Sequence, residues 1–113
     1  MLNTVYTAKT IKNKVNIYQK NEVLSSSPEK LVLFLYDQAI AGCKSDDERK
    51  ASRAIAQLID SLDFNYPEIA TGLFRLYEYS IRMIREKNFH KALPILVDLR
   101  STWAEALQKQ KAA

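Results

Sequence analysis

Cysteine, glycine, proline and histidine are all scarce in this chain of 113 residues, and each scarcity removes a class of protein. The single cysteine, Cys43, cannot close an intramolecular disulfide. Only two glycines occur, standing apart at 42 and 72, so no Gly-rich loop is present to cradle a phosphate. The one histidine, His90, is far in sequence from Cys43, with nothing to bring the two together as base and nucleophile. The opening stretch, MLNTVYTAKTIKNK, lacks the apolar core of a secretory signal, and no apolar run approaches the ~20 residues of a membrane span. A cytoplasmic protein without stable membrane insertion is therefore expected. Strand patterns are missing too: nothing alternates with period two for long, and no repeat of about 30 to 50 residues recurs.

What is present is helical patterning. With 47% hydrophobic and 27% charged residues, the chain can bury one modest core and is too short for two ordinary domains. Its net charge of +4 is unevenly placed, because Lys9, Lys12, Lys14 and Lys20 are the only charged side chains in residues 1–20. The other 13 basic residues are balanced by 13 acidic ones. The division expected is a flexible, basic, partly helical N-terminal arm over 1–24 and a folded domain over 25–113, with the arm's helical character around Val15 to Leu24. Such an arm could meet nucleic acid, an acidic partner or a membrane surface, or simply be solvated.

The folded part reads as four helices. The first spans about 27–43, with Ser27 as N-cap, Pro28 at the first helical position and Glu29 in the positive first turn; Ser26 and Glu29 also have capping-box spacing. Leu31 to Tyr36 then run without a polar break, as in a helix that other elements surround. The second, about Glu48 to Asp63, has one apolar face of Ala51, Ala54, Ile55, Leu58, Ile59 and Leu62. DFNYP at 63–67 breaks the pattern, and Pro67 opens a third helix to about Lys87. A fourth runs from about Phe89 to Gln108 and contains Pro94, which should kink it or mark a separate first turn. The apolar bands of the last two helices are wider than the ~100° a simple surface helix needs. An all-α, antiparallel four-helix bundle with an N-terminal arm or short extra helix is the architecture expected.

A search for chemistry finds none. Glu86 and His90 are four residues apart and would share a face only if the helix ran on through Asn88, while the Glu-x-x-His motifs of bundle metal sites are absent. No catalytic residue, cofactor site or metal site is expected. Tyrosine is more telling: of six, Tyr77 falls inside the apolar band of the third helix and Tyr79 just outside it. Tyrosine suits both core edges and interfaces.

One stretch, YQKNEVLSSSPEKLVLFLYDQAI, carries Tyr18-Gln19, Asn21 and Val23, then Ser27-Pro28-Glu29-Lys30-Leu31, then Leu35-Tyr36-Asp37 and Ala39-Ile40. It closely resembles the N-terminal motif of the FliS family, the flagellin-specific export chaperones. LYEY at 76–79 is similar to the family's Leu-Tyr-Asp-Tyr, and STWAEAL at 101–107 to its closing Trp segment. The resemblance spans 18–107. It implies a four-helix bundle without catalysis or cofactor that binds the C-terminal segment of flagellin in the cytoplasm, prevents premature polymerisation and escorts it to the flagellar type III export apparatus. It also implies that the client segment, disordered when free, becomes helical on the chaperone, and that the chaperone's N-terminal segment covers part of that surface when no client is bound. The export apparatus and other flagellar assembly regulators are further candidate partners. The chain departs from the family pattern at Gln38 (usually glycine), at Ser80 (commonly methionine), in its basic arm, and in a shorter link from Ile40 to Ile55.

With two helices of about 16 residues followed by two of about 20, the surplus is expected where helix three hands over to helix four, leaving Ile81, Ile84, Phe89 and Leu93 poorly covered. The candidate partner-binding residues are therefore Tyr18, Val23 and Leu24 in the arm, Leu58, Ile59 and Leu62 on helix two, Phe74, Tyr77, Ile81 and Ile84 on helix three, and Phe89 and Leu93 at the handover. Two alternatives remain open. One is a small DNA-binding or regulatory protein using the four arm lysines on phosphates, although no nucleic acid is expected as partner; the other is a self-associating bundle, and a monomer or weak homodimer fits either surface.

Overall fold

In the computed structural model, which describes residues 28–112, four α-helices follow one another: α1 Pro28–Lys44, α2 Glu48–Asp60, α3 Pro67–Arg85 and α4 Phe89–Ala112. The described residues contain no strand. α1 packs on α2 and on α4, and α3 closes the ring by packing on both α2 and α4. Leu31, Leu35, Ala39, Ile55, Leu58, Ile84 and Leu96 fill the centre. The expected cap Ser27, the arm over 1–24 and its helical segment lie outside the described residues.

The first connection is short because its residues serve two helices at once. Asp46 takes a left-handed conformation (φ 55), and the N–H groups of Asp46 and Asp47 donate back to the carbonyls of Cys43 and Gly42. Those two bonds satisfy carbonyls that the end of α1 would otherwise leave open. Asp47 is also the N-cap of α2, its carboxylate accepting from the Lys50 N–H at 3.0 Å. Gly42 allows the two helices to meet: a Cβ there would sit 2.6 Å from the Ala51 nitrogen.

Three helix ends differ from the spacing-based expectation, the last being α4, which runs on past Gln108 to Ala112. α2 stops at Asp60 rather than Asp63, because the buried Ser61 hydroxyl donates to the Leu58 carbonyl and the backbone tightens into three-residue turns through Leu62. α3 stops at Arg85 rather than Lys87, because Lys87 takes φ 64 and the Lys87 and Asn88 N–H groups donate to Ile84 and Met83. That break separates Glu86 from His90, so the two never share a face. Pro94 neither starts nor ends α4; the helix runs through it. Both Pro94 and His90, whose carbonyl loses its partner to the missing N–H, are exposed, which leaves that carbonyl to water.

The surplus length lies at the opposite end from the one expected. An ion pair joins Lys87, just past α3, to Glu48 at the start of α2, so the α1–α2 and α3–α4 turns share one end of the bundle. That end is well packed: Ile84 is fully buried and Phe89 is 8% exposed, correcting the expectation that both are poorly covered. α2 is six residues shorter than α3 (13 against 19), so the first turns of α3 overrun it at the other end. There Phe64 is 57% and Ile69 48% exposed.

A groove between the second and third helices

Of the twelve expected contact residues, the structure brings three to one surface feature. Ile59 of α2 and Phe74 and Ile81 of α3 line an open groove between these helices, together with Glu78, Arg82 and Arg85. The register gives the rows of residues on either side. Ser52 and Ala56 precede Ile59 by seven and three residues, so they share its edge of α2. Both are small; Ser52 is half-buried and Ala56 exposed. Opposite them Phe74, Glu78, Ile81 and Arg85 follow the i, i+4, i+7, i+11 row of α3. The Glu48–Lys87 ion pair lies beyond the Arg85 end.

The groove is chemically graded along its length. Phe74 and Ile81 are half-buried, offering apolar area without being lost to the core. Arg82 and Arg85 are exposed at the far end. The Arg82 guanidinium rests over the Tyr79 ring, 5.7 Å from its centre, which restrains it. Arg85 has no carboxylate partner among the described residues.

The other expected contact residues divide. Leu62 and Leu93 are half-buried against the core. Leu58, Tyr77, Ile84 and Phe89 are buried within it, which corrects their expected place on a partner-facing surface. Tyr77 is turned inward because its hydroxyl meets that of Tyr36 at 2.6 Å, across the diagonal from α3 to α1. The rings are 6.4 Å apart and tilted by 51°. Burial pushes the Tyr36 phenol up to about 12 despite the bond to Tyr77, which acts in the other direction. Burial, then the proximity and hydrogen bond of Tyr36, raises Tyr77 well above the usual phenol value. Both stay protonated and neutral at physiological pH. Tyr18, Val23 and Leu24, and the four arm lysines of the nucleic-acid alternative, lie outside the described residues.

Besides Ile69, three exposed apolar residues escaped the site expected from sequence. Phe64 sits in the α2–α3 connection, where no periodicity marks it, and Leu76 and Val97 (each 40% exposed) stand at the margins of bands whose centres are buried. Wide bands signalled surplus apolar area without showing which margin faces out.

Nothing in the described residues suggests chemistry. Burial pushes the Cys43 thiol up to about 11, so it stays a protonated thiol with little nucleophilic character. No group of three or more His, Cys, Asp or Glu side chains is placed to hold a metal ion among the described residues. No helix there is long and apolar enough to cross a membrane.

The closing Trp segment has a structural part to play. Trp103 of α4 donates its indole N–H to the Glu29 carbonyl in the first turn of α1, at 3.1 Å. Arg100 pairs with Asp37 through both of its carboxylate oxygens, which raises the guanidinium's pKa still further, mainly through the hydrogen bond. Together they fasten α4 to α1.

The chain is similar in sequence to known flagellar proteins. A curated relative, the flagellar secretion chaperone FliS of Bacillus subtilis (strain 168), is 26% identical over 121 aligned positions, covering 89% of this chain and 91% of the relative. No solved structure matches the chain significantly. The model of the family described as "Flagellar protein FliS" matches residues 44–110, more than half of the chain and three of the four described helices nearly whole. This helical bundle therefore belongs to the FliS family of flagellar proteins.

Proposed function

We propose that the chain is a flagellar secretion chaperone: a non-enzymatic bundle that binds the C-terminal segment of flagellin in the cytoplasm, prevents its premature polymerisation and delivers it to the flagellar type III export apparatus. Family membership supports the general role. The observation that carries the client-binding part is the groove of Ile59, Phe74 and Ile81, apolar side chains held half out of the core between two helices. An amphipathic helix lays its apolar face into such a groove, and a segment that folds on binding loses part of its contact energy to ordering, which favours release at the export gate. This reading also assigns Leu62 and Leu93, and Tyr18, Val23 and Leu24 of the arm, to the client surface.

The test is light scattering and calorimetry on the full chain with a flagellin C-terminal peptide. A monomer that forms a one-to-one complex is expected, with Phe74→Ala and Ile81→Ala each weakening it while leaving the fold intact. A chain that ignores the peptide but shifts DNA in a salt-sensitive manner would overturn the reading.

A further inference from the structure

We infer that the α2–α3 groove selects an amphipathic helix of fixed charge order: apolar side chains over Phe74 and Ile81, then a carboxylate over Arg82 and Arg85. This rests on the groove being the client surface and adds which helices it accepts. From Phe74 to Arg85 the α3 wall spans eleven residues, about 16 Å or three helical turns. Its residues change character in order, from Ile59 and Phe74, through Glu78 and Ile81, to the two arginines.

Charge makes the order directional. Arg85 has no carboxylate within ion-pairing distance among the described residues, and Arg82 is steadied by the Tyr79 ring rather than by an acid. Both guanidiniums keep their hydrogen-bonding forks free for a partner's carboxylate, which they can grip with two parallel bonds. Glu78, one turn before Arg82 on the same wall, repels a carboxylate placed early and tolerates a lysine there. Beyond Arg85 the cation of Lys87 is already occupied by Glu48, so it adds little pull of its own. A helix with acidic side chains opposite Phe74 would bury charge against apolar surface, and a basic one at the far end would face two arginines.

The experiment uses two labelled 18-residue designed peptides with identical apolar anchors, one with two glutamates in the turn meant for the arginines and the other with two lysines there. Binding to the full chain is read by fluorescence anisotropy. The wild-type chain should prefer the glutamate peptide about ten-fold, the size expected when two exposed ion pairs become repulsive, and added salt should shrink the preference. In the double variant Arg82→Glu/Arg85→Glu the preference should reverse toward the lysine peptide. Both positions are exposed, so an unchanged melting temperature confirms that the variant is folded. Equal binding of the two peptides, or the same preference in both proteins, overturns the inference. So does a chain that dimerises through this groove, seen as a dimer in light scattering that Arg82→Glu/Arg85→Glu dissolves. A flagellin C-terminal peptide run in parallel keeps the two claims apart. If it binds while the designed peptides show no charge order, the inference falls and the chaperone reading stands; if it fails while the order holds, the reverse applies.

Discussion

Tyr36 and Tyr77 illustrate how a residue's surroundings decide its part. Each hydroxyl is shut away from water, and each has the other as its hydrogen-bond partner. Removing one leaves the second unpaired in the core, so Tyr36→Phe or Tyr77→Phe alone should cost about 1–3 kcal/mol, whereas the double variant should lie close to wild type. Urea unfolding of the four proteins measures this; additive losses would show that the pair does not act as a unit. A pH effect accompanies it. An unfolded phenol loses its proton near 10, while folded Tyr36 keeps its own until about 12. The stability this holds is intact below pH 10 and is lost as pH rises through 12, to the extent of about 2–3 kcal/mol for Tyr36. The double phenylalanine variant should therefore lose less stability than wild type between pH 9 and pH 12. Tyr77 was legible in the sequence as an apolar-band residue, but its partner, 41 positions away, was not. Only the register of two helices that are not neighbours in the ring brings them together.

At the scale of the helix, the two glycines make a controlled comparison. Gly42 faces the Ala51 backbone with no room for a Cβ, whereas nothing lies within 4 Å of the one that Gly72 would carry. Gly42→Ala should push α1 and α2 apart at a cost of about 1–3 kcal/mol. Gly72→Ala should stabilise α3 by about 0.5–1 kcal/mol, since the chain loses only needless freedom. Thermal melts followed by circular dichroism will show opposite shifts if this is right. Helix starts were easy to read because Pro28 and Pro67 fit only a first turn. Helix ends were harder: Asp46 and Lys87 hold left-handed positions that glycine usually fills, so neither announces itself. The groove lay between these extremes. Ile59, Phe74 and Ile81 were marked by periodicity, yet only the packing of α2 on α3 brings them to one groove.

The ring of four helices is built from one very local joint and one very distant one. α1 and α2 form a hairpin across three residues, while the Trp103 bond to Glu29 closes α4 onto α1 across 74 positions. α4 has no buried residue after Leu96 within its described side chains, so apart from the Arg100 and Trp103 ties to α1 its second half is lightly held. Hydrogen exchange should find amides of 101–110 opening at least about a hundredfold more readily than those of 31–43. Uniform protection along α1 and α4 would show instead that the ring opens only as a whole. The unequal helix lengths leave Phe64 and Ile69 standing clear at the end away from the α1–α2 turn. The late joint also has a meaning for biosynthesis. α4 leaves the ribosome after the other three described helices, and its 24 residues take roughly one to five seconds to translate. For that interval the apolar flanks of α1 and α3 wait uncovered, and the nascent bundle is itself a chain in need of shelter.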